Sequence, residues 1–196
     1  MKRIFDIFFS FIGLIFLSPI FLVIAIIIKI ESKGSVFYLQ TRVGKNNKDF
    51  KIFKFRTMFG DSDKKGLLTI GDKDPRVTKS GYLLRKYKLD EIPQLINVFI
   101  GNMSFVGPRP EVRKYVNYYS ENDFKILSIK PGITDYASIH YRDEAELLKS
   151  SSDPDLLYVN EILPEKIRLN KLYLNNASIL LDLKIILKTI IVIFSK

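Results

Sequence analysis

The sequence predicts a mostly helical α/β protein with one small β-hairpin, divided into a membrane anchor over residues 1–33 and a compact domain over 34–196. Three observations predict it. An uncharged apolar run extends from Ile7 to Ile28. Two β-branched and aromatic segments flank a Gly44–Asp49 turn. Helical apolar spacing, punctuated by capping residues, recurs through much of the remaining chain.

About 20 apolar residues suffice to cross a bilayer, but Ser18-Pro19 interrupts the run near its middle. Proline inside a helix removes a hydrogen bond and clashes with the preceding turn. The run therefore reads either as one kinked spanning helix or as a re-entrant helix-break-helix, each half reaching roughly 20 Å. Lys2 and Arg3 precede it, and Lys29 and Lys33 follow. Positive residues favour the cytoplasmic side, so the re-entrant form, which keeps both ends there, is favoured. The Ser18 hydroxyl is suited to a carbonyl freed by the break. A signal peptide fits less well, because no small-residue cleavage site follows and the basic flank continues.

Roughly 165 residues remain, enough for one compact domain rather than two. Cysteine is absent and His140 is the single histidine, which excludes disulfides and thiolate sites and disfavours zinc and triad chemistry. Catalysis would rest on carboxylates, on lysine and arginine, or on a hard oxygen-bound metal. The net charge of +10 fits an anionic partner. Beside an anchor, lipid headgroups or phosphorylated substrates outrank nucleic acid.

Gly34 to Met58 reads as the hairpin, with strands over Ser35–Val43 and Phe50–Arg56. Residues 59–76 read as loop, from Gly60, Gly66, Gly71 and Pro75. Thr78 or Ser80 caps a short basic helix through Tyr87. A second helix is expected from Asp90, with Pro93 in its first turn and Gly101 ending it. Further helices are expected over 111–119 and 164–174, with turns at Pro131-Gly132 and 150–155. The segment 178–194 is apolar except for Asp182, Lys184, Lys188 and Thr189, which are expected on one flank. It reads as an interfacial helix or as a core helix with a solvated edge.

Leu89-Asp90-Glu91-Ile92-Pro93 sets two acids at a helix start. They read as structural caps, or as a carboxylate available as nucleophile or Mg²⁺ ligand. In Val106-Gly-Pro-Arg-Pro-Glu111, two prolines stiffen the loop carrying Arg109, an arrangement suited to bidentate phosphate binding or simply to a solvated turn. Arg56 and Arg85, taken singly, are ordinary strand-edge and helix-face cations.

Several blocks occur in order: Lys54-Phe-Arg-Thr-Met58, Leu84-Arg85, Leu89-Asp-Glu-Ile-Pro-Gln-Leu95, Asn97-Val98, Gly101-Asn-Met-Ser104, Val106-Gly-Pro-Arg-Pro110, Lys130-Pro-Gly-Ile-Thr134 and Leu181-Asp-Leu-Lys-Ile-Ile186. With Ser18-Pro19 and Lys2-Arg-Ile-Phe-Asp6, the chain closely resembles the small monotopic phosphoglycosyl transferases, the bacterial sugar transferases that begin polysaccharide and glycoconjugate assembly.

The resemblance implies transfer of a phospho-sugar from a UDP-sugar to polyprenol phosphate, releasing UMP, at the cytoplasmic face of the bacterial inner membrane. It implies Asp90 as nucleophile of a covalent phosphosugar intermediate, Glu91 holding Mg²⁺ with Asp90 or managing protons, and Arg109 binding phosphate. It also places Arg56, Arg85 and Arg142 as cations around the site. A homodimer is compatible with it.

Two departures stand out. Lys88 replaces the serine or threonine common before the Leu-Asp-Glu block. After Thr134, Asp135-Tyr-Ala-Ser-Ile139 replaces the common pattern, which weakens the match at Arg142 and puts sugar identity in doubt. A non-catalytic basic scaffold would explain the anchor and charge but not the motif setting of Asp90-Glu91. Nucleic-acid binding through Phe50, Phe53 and Phe55 fits less well, since an interleaved apolar strand is more often core.

Overall fold

The structure, a computed structural model, describes residues 1–60 and 74–195. It is mostly helical with two small sheets. Of the expected 59–76 loop, Gly66 and Gly71 lie outside the described residues; Phe59 N donates to the Arg76 carbonyl at 3.0 Å.

Helix α1 (Lys2–Glu31) is one uninterrupted 30-residue element with Pro19 inside it. The expected break at Ser18-Pro19 therefore does not divide it. The Ser18 hydroxyl donates to the Ile15 carbonyl at 2.7 Å, satisfying an acceptor next to the proline. At about 45 Å, α1 is long and apolar enough to cross a membrane by length and composition. Its buried and half-buried positions include Asp6, Ser10, Gly13, Leu17, Phe21, Ile24 and Ile28, which recur every three or four residues. That stripe lies on the domain along the whole helix, while Phe8, Ile15, Phe16, Val23 and Ile27 are exposed. Asp6 Oδ1 accepts from Ser104 Oγ at 3.0 Å near one end, and Ile28 packs with Phe55 and Leu84 near the other.

The hairpin forms as expected: β1 (Phe37–Val43) and β2 (Asp49–Phe55) pair antiparallel, with Leu39 opposite Phe53. Helix α2 (Lys79–Lys86) is capped by Thr78, whose hydroxyl accepts from Gly81 N at 3.0 Å. The next helix starts later than expected. Leu89–Glu91 forms a 3-10 turn, and α3 (Gln94–Ile100) begins after Pro93, ending at Gly101 with φ 96°. Asn97 ties α3 to the hairpin: its amide donates to the Lys51 carbonyl at 2.8 Å and accepts from Phe53 N at 2.9 Å. Arg3 donates to the Val98 and Phe99 carbonyls at the end of α3, where the helix dipole favours a cation.

Strand β3 (Ser104–Val106) pairs parallel with β4 (Gly132–Thr134), so Gly132 opens a strand rather than completing a turn. A Cβ on Gly132 would come within 2.5 Å of the Gly107 carbonyl oxygen. Only glycine permits this approach. The helix expected over 111–119 is reduced to α4 (Arg113–Val116). Short helices α5 (Tyr136–His140), α6 (Glu144–Lys149) and α7 (Pro154–Leu157) lead into α8 (Leu163–Asn176).

Helix α9 (Ile179–Phe194) does not gather its polar residues on one flank. Asp182 and Thr189, seven apart, face the domain; Lys184 and Lys188, four apart, are exposed among Leu180, Leu187 and Ile191. At 3.6 residues per turn these pairs fall on opposite sides. Asp182 accepts from Lys2 at 2.6 Å and from the Tyr173 hydroxyl at 2.6 Å, joining the first helix to the last.

Candidate active site

Asp90 and Glu91 occupy the tight 3-10 turn between α2 and α3, preceded by Lys88 in the left-handed region at φ 55°. Neither caps α3, which has no side-chain cap. The turn places the two carboxyls in different surroundings. Both oxygens of Glu91 are taken: Lys54 Nζ lies 3.0 Å from Oε1, Arg109 Nη1 donates to Oε2 at 3.0 Å, and Arg109 Nη2 also reaches Oε1. Asp90 is 7% exposed, and its Oδ1 is buried without a hydrogen-bond partner.

The electrostatics follow from this geometry. Burial raises the Asp90 pKa, and the adjacent Glu91 charge raises it further, against opposing pulls from Lys54, Arg85 and Lys88. Burial acts on Glu91 in the same sense, but Arg109 and Lys54 outweigh it and hold that carboxyl well below its ordinary range. Glu91 in turn raises Arg109. Burial lowers Lys54 despite its carboxylate partner.

Arg109 is positioned from its backbone as well as its head group. Its N–H donates to Asp135 Oδ2 at 2.9 Å, while Asp135 Oδ1 caps α5 by accepting from Ser138 N at 2.6 Å. The close β3–β4 approach delivers the Gly107-Pro-Arg-Pro110 loop to that cap.

A cavity of about 730 Å³ opens onto these groups. Arg85, Lys88, Lys54 and Arg109 line it with Asp90, and so do apolar Leu17 of α1 and Ile190 of α9. Arg56 and Arg142 reach the same cavity but hold other elements. Arg56 donates to the Ser32 and Lys33 carbonyls at the end of α1, at 2.8 and 2.9 Å, and Arg142 donates to Ser195 Oγ at 3.3 Å. Among the described residues no group of three or more His, Cys, Asp or Glu side chains could hold a metal. The unpaired Asp90 oxygen would suit a hard cation, which would need substrate oxygens to complete its shell.

The full length, residues 1–196, matches the family described as bacterial sugar transferase. The chain belongs to that family. It is 38% identical over 195 residues to an Aeromonas hydrophila UDP-N-acetylgalactosamine-undecaprenyl-phosphate N-acetylgalactosaminephosphotransferase, covering 97% of this chain and 43% of that protein. Similarity to a Klebsiella pneumoniae UDP-glucose:undecaprenyl-phosphate glucose-1-phosphate transferase is 39% over 193 residues, 96% of this chain and 39% of the relative. The Bacillus subtilis sugar transferase EpsL is 36% identical over 190 residues, 97% and 85% of the two chains. The chain thus spans less than half of the first two relatives and most of EpsL.

Within this bacterial sugar transferase, the structure brings Asp90, Glu91, Arg85 and Arg109 together and adds two residues that sequence reasoning passed over. Lys54 opens the Lys54–Met58 block, but that block gives it no role, and it stands in β2 as a cation between Phe53 and Phe55. Asp135 follows Thr134 as an ordinary helix cap, and nothing local links it to Arg109.

Proposed function

We propose that this bacterial sugar transferase moves a phospho-sugar from a UDP-sugar to polyprenol phosphate, with Asp90 as the nucleophile. One observation carries the reading: the carboxyl left without a partner, Asp90, lines one cavity with the cations Arg85, Lys54 and Arg109 and with apolar side chains of α1 and α9. A diphosphate and a lipid-borne acceptor both need such surroundings.

Asp90 attacks the phosphorus that carries the sugar, forming an aspartyl-phosphate bond while the bond to UMP breaks and UMP leaves with the electron pair. A polyprenol phosphate oxygen then attacks the same phosphorus, releasing the Asp90 carboxylate and forming the diphosphate-linked lipid. Arg85 and Lys88 place positive charge where phosphate charge accumulates. Glu91 holds Arg109 and Lys54 in position through its two occupied oxygens. Asp90 would hold Mg²⁺, which would supply Lewis-acid shielding of the phosphate charge.

The membrane arrangement that suits this chemistry has α1 seated in one leaflet on the cytoplasmic side. Both its ends are tied to the same domain, through Lys2–Asp182 and Arg56–Ser32; its outward face is apolar, and that of α9 is apolar apart from Lys184 and Lys188. Intact-mass measurement of the protein given UDP-sugar without acceptor tests the chemistry. A phosphosugar adduct on the Asp90 peptide is expected, and turnover without an adduct overturns the proposal.

A further inference from the structure

A second cluster of polar groups lines the cavity: Lys166 Nζ lies 2.5 Å from Glu144 Oε2 and donates to the Tyr158 hydroxyl at 3.1 Å, and that hydroxyl donates to Glu111 Oε1 at 2.7 Å. With Arg42 Nη1 3.9 Å from Glu111 Oε2, two cations face two carboxylates here. Two neutral groups beside them are left over. Asn170, one helical turn beyond Lys166 on α8 and 5% exposed, has a buried Oδ1 with no partner. Ser138, on the α5 helix packed against α8, has a buried hydroxyl with no partner. Unpaired buried polar groups are uncommon, and each calls for a reason.

We infer that Asn170 and Ser138 form the subsite that recognises the hexose of the donor. The inference rests on the donor reading above and says which part of the donor goes where. Arg85, Lys88, Lys54 and Arg109 line the cavity with Asp90 and suit the diphosphate, whereas beside Asn170 the Lys166 charge is met by Glu144 and Glu111, which suits a neutral polyol. Asn170 Oδ1 accepts from a sugar hydroxyl or acetamido N–H, and Ser138 Oγ both donates and accepts. The carboxylates of Glu111 and Glu144 make this cluster rich in acceptors, matching a hydroxyl-bearing ring better than a base with a single N–H. A buried polar pair of this kind discriminates strongly between epimers, because the wrong hydroxyl leaves it unpaired.

The test uses the full chain in membranes with polyprenol phosphate, measuring UMP release from UDP-glucose, UDP-galactose and their N-acetyl counterparts. For Asn170→Leu and Ser138→Ala, kcat/KM for the preferred donor is expected to fall at least ten-fold. The preference over its epimer is expected to narrow, with inhibition by UMP unchanged. Ser138→Ala removes one atom only and so carries the test should Asn170→Leu fail to fold. An unchanged epimer preference in Ser138→Ala overturns the subsite alone, as does weakened UMP inhibition, which would mark the nucleoside end. A wild-type chain releasing no UMP from any donor overturns the transferase reading and the subsite with it.

Discussion

Asp90 and Glu91 are neighbours in the chain, yet their carboxyls titrate in opposite directions. Burial and the Glu91 charge raise Asp90, while Arg109 and Lys54 overcome burial to lower Glu91. One acid is consumed by structure and the other is left reactive, a separation that pairs of tuned carboxyls achieve elsewhere.

Asp90→Asn is expected to abolish UMP release and to stabilise the fold at neutral pH. It removes a buried charge lacking a hydrogen bond while leaving the paired Glu91 in place. For a chain of this size each 1 kcal/mol of relief raises Tm by roughly 2–4 °C. Thermal unfolding in detergent, run beside the activity assay, checks both halves; an inactive but less stable variant contradicts the account.

The acid limb of kcat/KM is expected above the ordinary aspartate value of 3.8, because the reactive form is the ionised carboxylate. Lys54→Met, which removes a cation that favours the charged form, is expected to move that limb further up. The stability signs are opposed. Asp90, raised on folding, contributes stability that is present at low pH and lost as pH rises through its folded value. Glu91, lowered on folding, contributes stability that is present above 4.5 and lost as pH falls through its folded value.

Glu91→Gln leaves Arg109 and Lys54 without their anion. Their side chains are 31% and 16% exposed, so a loss of about 3 kcal/mol, the low end for a broken buried pair, is expected. Denaturant titration measures it. An equal loss in the Glu91→Gln/Arg109→Met double variant would show that the pair is not the source.

Gly132→Ala is expected to lower activity and stability together, since its methyl group would overlap Gly107 and push the Arg109 loop off Asp135. Ala137→Gly on the neighbouring α5, where no such overlap exists, is expected to cost only about 1 kcal/mol. Comparing the two separates loop displacement from general weakening of this region.

Turnover is expected to stop in excess chelator and to return with added Mg²⁺, given that Asp90 offers a buried carboxylate oxygen without a hydrogen-bond partner. Activity that persists through extensive chelation removes the metal from the proposal and leaves the cations around Asp90 to carry the phosphate charge.

Local chemistry made much of the framework legible. The hairpin, the Thr78 cap, the Gly101 helix end and the last two helices follow from turn residues, capping side chains and period. The β3–β4 pair was not legible, because three-residue strands carry no periodic signal and their pairing joins residues 28 apart, as Ser104 and Gly132 are. At Ser18-Pro19 the helix continues through the proline, as the single-helix alternative allows. Proline disfavours a helix interior without forbidding it, and here the Ser18 hydroxyl bonds the Ile15 carbonyl beside it.

The same division holds for the site. By itself the sequence determined the membrane-seeking apolar segments, the absence of thiol chemistry, and the family to which the ordered motifs belong. It brought Asp90 to notice as one of two adjacent acids at a helix start, and Arg109 because flanking prolines stiffen its loop. Only the tertiary structure decided which acid is neutralised and which stays open, since Lys54 and Arg109 reach Glu91 from positions 37 and 18 residues away. Charge is a property of a residue, but its compensation depends on what folding packs against it.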